Sequence, residues 1–345
     1  MTGLPRHALW VRMPRFIGDG ILISQSLEPL RRAQIPLVAW GPERVLELYR
    51  GSSAFSGVHA DEPAGRQVLA LARALRRHEA MGVLGLTRSL RPLLAGWVAR
   101  VPLRIGWSDK GGRYLGTHTA PFWQVDLHHF DRYQALVRSA FPDLPEGGPH
   151  AFRPRPEAEA AAFGLLDQIQ PGEAGFVACA LGAHGWNKRL STTVWAALTG
   201  RLLETGLVPV LLGNGPEDAE QAHAIQAAHP GVCNLVGSVG LADTAGLLRH
   251  ARGLVGNDSA LAHLAAAVGC PCVVAFGPTR PSWTAPRGPA VSIVRREDLP
   301  CIACGSHGCP TPGHPCMQAL PAERLFEALG GILLPPSPAE AQDRP

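Results

Sequence analysis

Short apolar runs alternate with stretches of helical spacing along almost the whole chain. In the first 100 residues the apolar runs are ALWVRM, PLVAW, GVHA and MGVLGL. The helices predicted to follow them cover residues 20–33, 44–50, 66–80 and 90–100. From residue 175 the same rhythm returns with GFVACAL, VPVLLGN, GLVGND and PCVVAFG, and with helices predicted over 192–205, 217–228 and 259–268. Buried strands that alternate with helices are typical of parallel α/β sheets.

A pause in this rhythm at residues 154–175 predicts two domains. We expect a Rossmann-like domain over 1–155, a linker helix over 156–174, a second Rossmann-like domain over 175–334 and a disordered tail over 335–345. The predicted fold is α/β, with two doubly wound parallel sheets facing a cleft. In such sheets ligands bind beyond the carboxyl ends of the strands, so the loops after each strand are the places to look for a site.

Composition and charge narrow the function class. The chain of 345 residues is 46% hydrophobic and 17% charged, as in ordinary globular proteins. Its apolar runs are too short for a signal peptide or a membrane span, so we expect a cytoplasmic protein. Residues 1–150 hold 19 Lys and Arg against 12 Asp and Glu, a net charge of +7, whereas residues 151–345 hold 13 against 16, a net charge of −3. This asymmetry suggests that the first half meets an anion, and a solvated arginine-rich surface is an equal alternative. Nucleic acid is disfavoured because no basic run is interleaved with aromatic residues.

Asp19 lies between Gly18 and Gly20, directly after the first predicted strand. A carboxylate at this place can be a helix N-cap, or it can be a general base that removes a proton from a substrate hydroxyl. This loop alone leaves both interpretations open.

Two further loops contain groups that can bind an anionic ligand. In GNDSALAH, a buried strand ends before a helix that begins near Ser259, and a helix N-terminus suits phosphate. In LGAHGWNKRLS, Gly182 and Gly185 predict a flexible loop that carries the positive charge of Lys188. Lys188 is one of only two lysines in the chain, which has 30 arginines. A compact ammonium can neutralise a diphosphate leaving group. The alternatives are an ordinary helix cap with a packed histidine, and a solvated surface lysine.

The four loops IGDGILISQSL, GAHGWNKR, LLGNGPED and GNDSALAHLAAAVGCPCVVAFGPTRPSWTAP together resemble glycosyltransferase family 9, the lipopolysaccharide heptosyltransferases. The resemblance covers about residues 8–334, and RSLRPLLAGWVARVPLRIGWSDKGGRYLG is most similar to the heptosyltransferase II branch. It implies a GT-B fold and inverting transfer of heptose from ADP-L-glycero-D-manno-heptose to the inner core of lipopolysaccharide. The acceptor would be of the lipid A-Kdo-heptose type, and a peripheral contact with the inner membrane is left open.

The resemblance also implies roles for single residues. Asp19 matches the catalytic base and Lys188 the diphosphate-binding lysine. The nucleotide-sugar positions are Gly182, Glu217 (with Asp218 as a close alternative), Asp258, Ser259, Ala260 and His263. The candidates for acceptor contacts are Arg88, Arg91, Arg104, Lys110 and Arg113, each of which can equally be solvated surface. No cofactor is expected for catalysis. Two positions depart from the family pattern, because Ala260 stands where the family usually has glycine and Ser191 where it tends to have proline.

Four of the eight cysteines lie close together, as Cys301-x2-Cys304-x4-Cys309-x6-Cys316. This spacing suits a structural zinc ion held by thiolates. Reduced thiols without a metal and disulfides are the alternatives, and the lack of a secretion signal argues against a disulfide framework.

Two alternatives to heptosyl transfer remain open at the level of the sequence. One is a GT-B transferase for another nucleotide sugar. The other is a GT-B module without catalysis that binds other envelope-assembly enzymes. The presence of both Asp19 and Lys188 argues against the inactive module, since a degenerate copy needs neither a base nor a phosphate-binding ammonium.

Overall fold

The computed structural model describes residues 4–61, 67–122, 127–144, 147–149, 152–305, 308–309 and 311–333. The chain divides into two compact units, residues 1–155 and residues 156–345. The predicted tail at 335–345 lies outside the described residues.

The first unit is a parallel sheet flanked by helices. Its strands are β1 (Leu9–Arg12), β2 (Leu37–Gly41), β3 (Gly57–Ala60), β4 (Gly82–Gly85), β5 (Leu103–Trp107) and β6 (His118–Ala120). Its helices are α1 (Ile17–Ser26), α2 (Glu28–Arg32), α3 (Glu43–Leu46), α4 (Gln67–Arg77), α5 (Arg91–Ala99), α6 (Gly112–Leu115) and α7 (His129–Ala140), with short 3-10 turns at Glu47–Tyr49 and Asp109–Gly111. The strand order is β3-β2-β1-β4-β5-β6, so β1 and β4 are central.

The second unit repeats this architecture. Its strands are β7 (Phe176–Ala180), β8 (Val208–Leu212), β9 (Cys233–Asn234), β10 (Gly253–Asn257), β11 (Cys272–Ala275) and β12 (Val291–Val294). Its helices are α8 (Pro156–Ile169), α9 (Thr192–Glu204), α10 (Pro216–Ala228), α11 (Leu241–Leu248), α12 (Ala260–Val268), α13 (Pro281–Thr284), α14 (Pro315–Gln318) and α15 (Ala322–Gly330), with a 3-10 turn at Trp186–Lys188. The order β12-β11-β10-β7-β8-β9 is that of the first sheet, and both sheets are parallel.

The central strands are buried on both faces, which explains why they appear in the sequence as continuous apolar runs. Every residue of β1, β2, β4, β7, β10 and β11 is buried. Helices cover both faces of such a sheet, so its strands need apolar side chains on each side.

The helix predicted at 20–33 differs from the observed structure in two ways. It begins earlier, at Ile17, after Phe16 in an extended conformation, so Asp19 lies inside its first turn. It also breaks at Leu27, and α2 starts at Glu28. Pro29 explains the break, because proline has no N–H to donate back along a continuous helix.

The segment 156–174, which we predicted as a linker, belongs to the second unit. Residues 156–169 form α8, which packs along α11. The two helices approach so closely that a Cβ atom added at Gly246 would lie 2.2 Å from the carbonyl oxygen of Ala158. Residues 156–169 are therefore packed on α11 as part of the second unit.

No helix in the described ranges has both the length and the apolar character needed to cross a bilayer.

Gly246→Ala tests the α8–α11 contact. We expect a loss of about 1–3 kcal/mol in the free energy of unfolding, because the added methyl group forces the helices apart. Gly164→Ala is the matched control on α8, since its added Cβ meets nothing within 4 Å. Alanine there should raise stability by about 0.5–1 kcal/mol through helix propensity. Urea unfolding of both variants measures the difference, and equal stabilities would contradict the packing argument.

Candidate functional site

Polar side chains of the second unit gather at the carboxyl edge of its sheet. Lys188 follows β7, Glu217 follows β8, Asp258 follows β10 and Thr279 follows β11. Because β7 pairs with β8 and β10, and β10 pairs with β11, these four connections are neighbours along the edge.

Lys188 is held by an ion pair at this edge. Its Nζ donates to Oδ2 of Asp258 at 2.6 Å. The same oxygen accepts a hydrogen bond from Oγ1 of Thr279 at 2.8 Å. The Asp258 side chain is 6% exposed, whereas that of Lys188 is 25% exposed. The carboxylate is therefore buried and fixed, and the ammonium remains accessible to a ligand. Thr279 is not among the site residues predicted from the sequence, although its place in the connection after β11 was a usable signal.

Asn257 fixes the loop that carries Lys188 at both ends. This residue is fully buried at the end of β10. Its Nδ2 donates to the Leu181 carbonyl at 2.7 Å, and its Oδ1 accepts from the Leu190 N–H at 3.0 Å. One amide thus pairs with the backbone on either side of residues 182–189. Our sequence analysis did not identify Asn257 either.

The N-terminus of α12 supplies further groups for an anion. Ser259 is its N-cap in an extended conformation, and its side chain makes no capping hydrogen bond. Among the described residues the Ser259 hydroxyl is buried and has no hydrogen-bond partner. Ala260 is the first helical residue, and His263 is buried in the first turn. The first N–H groups of a helix lack partners within it, so they and the hydroxyl are available to a phosphate.

Glu217 and Asp218 are adjacent but differ in their surroundings. Asp218 is buried, accepts from the Asn214 N–H at 2.8 Å and pairs with the Arg189 guanidinium. The Glu217 side chain is 76% exposed. Gly182 packs against Asp218, whose Oδ2 would lie 2.8 Å from a Cβ added there. Asp218 therefore organises the loops, and Glu217 is the carboxylate open to a ligand.

In the first unit, Asp19 is the third residue of α1, and the N-cap residue of that helix is Phe16. Asp19 is half-buried. Helix α1 packs against α7, where Tyr133 is buried. Burial raises the pKa of Tyr133 above its ordinary value, and the negative charge of Asp19 raises that pKa further. The phenol beside Asp19 thus stays neutral at physiological pH.

Two of the five predicted acceptor-binding residues meet in one small pocket. Arg88 and Lys110 line it together with Thr87, Trp107 and Asp109, among others, at the ends of the adjacent strands β4 and β5. Since β4 also pairs with β1, this pocket and Asp19 belong to the same sheet edge.

The other three basic residues do not join this pocket. Arg104 lies within β5, and its guanidinium donates to the carbonyls of Leu115 and Val101, each at 2.7 Å. It is therefore engaged in holding the unit together rather than presented to an acceptor. Arg91 donates to Gln67, and Arg113 packs on the exposed ring of Tyr114.

The four clustered cysteines are free thiols in the structure. Burial raises the pKa of Cys316 to about 11, and the neighbouring Cys309, Cys301 and Cys304 contribute. Within the described ranges, no three His, Cys, Asp or Glu side chains are arranged to hold a metal ion. Zinc on these cysteines stays a prediction from their spacing.

Two doubly wound parallel domains, each with its polar groups at the carboxyl edge, define the GT-B class of glycosyltransferase folds. The chain is similar to the solved E. coli ADP-heptose LPS heptosyltransferase II, with a TM-score of 0.77 and 22% identity, over 94% of this chain and 98% of that one. It is also similar to E. coli heptosyltransferase WaaC with ADP, with a TM-score of 0.71 and 18% identity, over 94% and 99%. These similarities confirm the predicted fold class.

The family model for glycosyltransferase family 9 (heptosyltransferase) matches residues 68–314. The chain therefore belongs to this family, as the sequence motifs predicted. Among its relatives is lipooligosaccharide heptosyltransferase 2 of Haemophilus influenzae, 28% identical over 310 residues, which are 82% of this chain and 86% of the relative. Lipopolysaccharide heptosyltransferase 2 of Escherichia coli is 26% identical over 350 residues, 93% of this chain and 97% of the relative.

The difference in burial between Glu217 and Asp218 predicts unequal losses of stability when each is replaced by alanine. Asp218→Ala should lower the free energy of unfolding by about 3 kcal/mol, because it removes the buried partner of the mostly buried Arg189 guanidinium and leaves only the exposed Glu217 carboxylate, 3.7 Å away. Glu217→Ala should change it by less than about 0.5 kcal/mol, since the side chain is mostly exposed. Urea unfolding distinguishes the two variants, and a large loss for Glu217→Ala would reverse the assignment.

The spacing of the cysteines predicts about one zinc ion per chain. Elemental analysis of full-length protein purified without chelators measures it. A value well below one equivalent would refute the zinc prediction, and titration of all eight cysteine thiols in denatured protein that has not been treated with a reductant would establish the reduced state in its place.

Proposed function

We propose that this chain transfers heptose, with inversion, from ADP-L-glycero-D-manno-heptose to the inner core of lipopolysaccharide, as a heptosyltransferase of type II. Family membership supports the class of reaction. The names of the similar enzymes from H. influenzae and E. coli support the type. The structural observation that carries the proposal is the accessible ammonium of Lys188, paired with Asp258 beside the N-terminus of α12.

The second unit would bind the donor. The Lys188 ammonium, the Ser259 hydroxyl and the first N–H groups of α12 suit the diphosphate. These groups supply positive charge without a divalent metal, which agrees with the lack of an Asp-x-Asp motif in the sequence. Glu217 is open to solvent and can accept hydrogen bonds from ribose hydroxyls. Because Ala260 replaces the usual glycine, its methyl group limits how closely the backbone approaches the phosphates.

The first unit would supply the base. Asp19 takes the proton of the attacking acceptor hydroxyl as that oxygen bonds to the anomeric carbon. The bond between the anomeric carbon and the diphosphate oxygen breaks, and ADP leaves with its electron pair. Lys188 stabilises the charge that develops on the leaving oxygen. A single displacement of this kind inverts the anomeric centre and needs no nucleophilic carboxylate on the enzyme.

The basic first half would bind the acceptor. Arg88 and Lys110, which line the same pocket, are the groups we assign to carboxylate or phosphate on the inner-core sugar. Arg104 drops out of this assignment because its guanidinium is already engaged with backbone carbonyls. A cytoplasmic location and a peripheral contact with the inner membrane are part of the proposal, since the acceptor is lipid-linked.

Asp19→Asn tests both the transferase and its base. Acceptor-dependent release of ADP from ADP-heptose should fall by about 10³-fold, because the amide cannot take a proton. Affinity for ADP should not change, since ADP is assigned to the second unit. Asp143→Asn, an exposed carboxylate of the same unit, is the matched control and should keep full activity.

The possible outcomes separate the alternatives. Wild-type protein that binds ADP but releases none from ADP-heptose with a mono-heptosylated acceptor would contradict heptosyl transfer, and a panel of other ADP- and UDP-sugars would then distinguish a different transferase from a binding module. Full activity of Asp19→Asn would remove Asp19 from the role of base.

A further inference from the structure

We propose that residues 311–318, which follow the first three clustered cysteines, form a brace that positions Lys188 for the donor diphosphate, with His314 and Gln318 as positioning residues. The inference rests on the proposed function, because it concerns the same diphosphate site. It assigns a role to a segment that the reaction itself leaves unexplained.

The brace holds the backbone on both sides of Lys188. The carbonyl oxygen of Asn187, the preceding residue, accepts a hydrogen bond from Nε2 of His314. The carbonyl oxygen of Arg189, the following residue, accepts one from Nε2 of Gln318 at 3.0 Å. A carbonyl can only accept, so Nε2 of the histidine carries the proton. The Asn187–Lys188 and Arg189–Leu190 peptide groups are thus tied to one short helix and its N-cap.

Two further contacts extend this attachment. The ring of His314 lies 5.1 Å from that of Trp186, measured between centroids. The Ser191 hydroxyl donates to the Gln318 carbonyl at 3.0 Å and also accepts from the Val194 N–H as the N-cap of α9. A proline at position 191 has no hydroxyl, so the serine that departs from the family pattern adds a bond to the brace.

The backbone of His314 supports a role for its ring. His314 is buried and has φ = +47°, a left-handed conformation that costs energy for any residue with a Cβ. Glycine would adopt it without strain, as Gly313 does next to it at φ = +74°. Strain of this kind persists where the surrounding contacts require the side chain. The contacts of the ring are the hydrogen bond to Asn187, the packing on Trp186 and an approach of Nδ1 to Sγ of Cys316 at 3.9 Å.

The brace is anchored in the core of the second unit and reaches the other side of the site. Cys316 and Met317 are buried in the main hydrophobic cluster of that unit. Upstream, Ala303 N–H donates to the Gly277 carbonyl at 3.0 Å, and Gly305 N–H donates to the Pro278 carbonyl at 2.7 Å. Those carbonyls directly precede Thr279. The cysteine-rich segment therefore contacts both loops that bring polar groups to Asp258.

The brace holds the part of the loop that lies between the two backbone groups paired with Asn257. Residues 182–190 include Gly182 and Gly185, the latter at φ = +104°. A loop that moves freely must be ordered when the diphosphate binds, which lowers affinity. Fixing the peptides on either side of Lys188 removes that cost beforehand.

Four variants of the full chain test the proposal. His314→Gly removes the ring but accepts the left-handed backbone, and Gln318→Ala removes the second bond. His314→Gln restores a donor near the position of Nε2. Gln226→Ala is the matched control, since Gln226 donates to the Val232 carbonyl at 3.4 Å, away from the Lys188 loop. Hydrogen exchange of residues 182–191, calorimetric titration with ADP and steady-state kinetics are the readouts.

His314→Gly and Gln318→Ala should each accelerate exchange in residues 182–191 and weaken ADP binding by about 5- to 20-fold, the effect of losing one well-placed hydrogen bond. The KM for the donor should rise to a similar extent, while kcat at saturating donor changes by less than about 3-fold. His314→Gln should recover most of the ADP affinity, and Gln226→Ala should match wild type. A merely structural role would not confine the change to this loop or be rescued by glutamine.

Wild-type exchange and ADP affinity in Gln318→Ala and in folded His314→Gly would overturn the brace. If His314→Gly fails to fold, Gln318→Ala decides alone, because its side chain is exposed. If the variants show these exchange effects and wild-type protein binds ADP but transfers no heptose, the brace stands and the proposed function is overturned instead.

Discussion

Parallel pairing is the constraint on which the rest of the structure depends. When neighbouring strands run in the same direction, their carboxyl ends meet at one edge of the sheet, and every connection that follows them begins there. In the second unit this brings Lys188, Asp258 and Thr279 together from three loops that are distant in the chain. In the first unit it places Asp19, Arg88 and Lys110 after three adjacent strands. The candidate binding and catalytic groups of each unit therefore lie at the carboxyl edge of its sheet.

An edge made of loops needs internal support, and buried polar groups provide it here. The Asn257 amide bonds the backbone on both sides of the Lys188 loop, and the Asp218 carboxylate holds Arg189 and the Asn214 N–H. A buried polar group that loses its partner destabilises the protein by more than the bond itself contributes. These networks therefore favour one loop arrangement over alternatives. The ammonium of Lys188 can stay accessible because the groups around it are fixed.

Glu217 and Asp218 are adjacent carboxylates whose different surroundings could not be predicted from the sequence. The motif GNGPED contains two carboxylates, and nothing local indicates that Asp218 lies inside and Glu217 outside. Among the five basic residues offered for the acceptor, Arg104 turned out to hold two backbone carbonyls of its own unit. Its charge was visible in the sequence, but its partners were not. Thr279 and Asn257 were missed because their importance lies in long-range contacts rather than in residue type.

The sequence by itself determined the alternation of strands and helices, the two α/β domains, the family, and the loops where polar residues follow strands. These features depend on periodicity and on short motifs, which are local. Only the tertiary structure decided which side chains are engaged and which are open. Lys188 and Asp258 are 70 residues apart in the chain, and Asn187 and His314 are 127 apart. Pairs at such separations form only when packing of the apolar faces has brought the loops together.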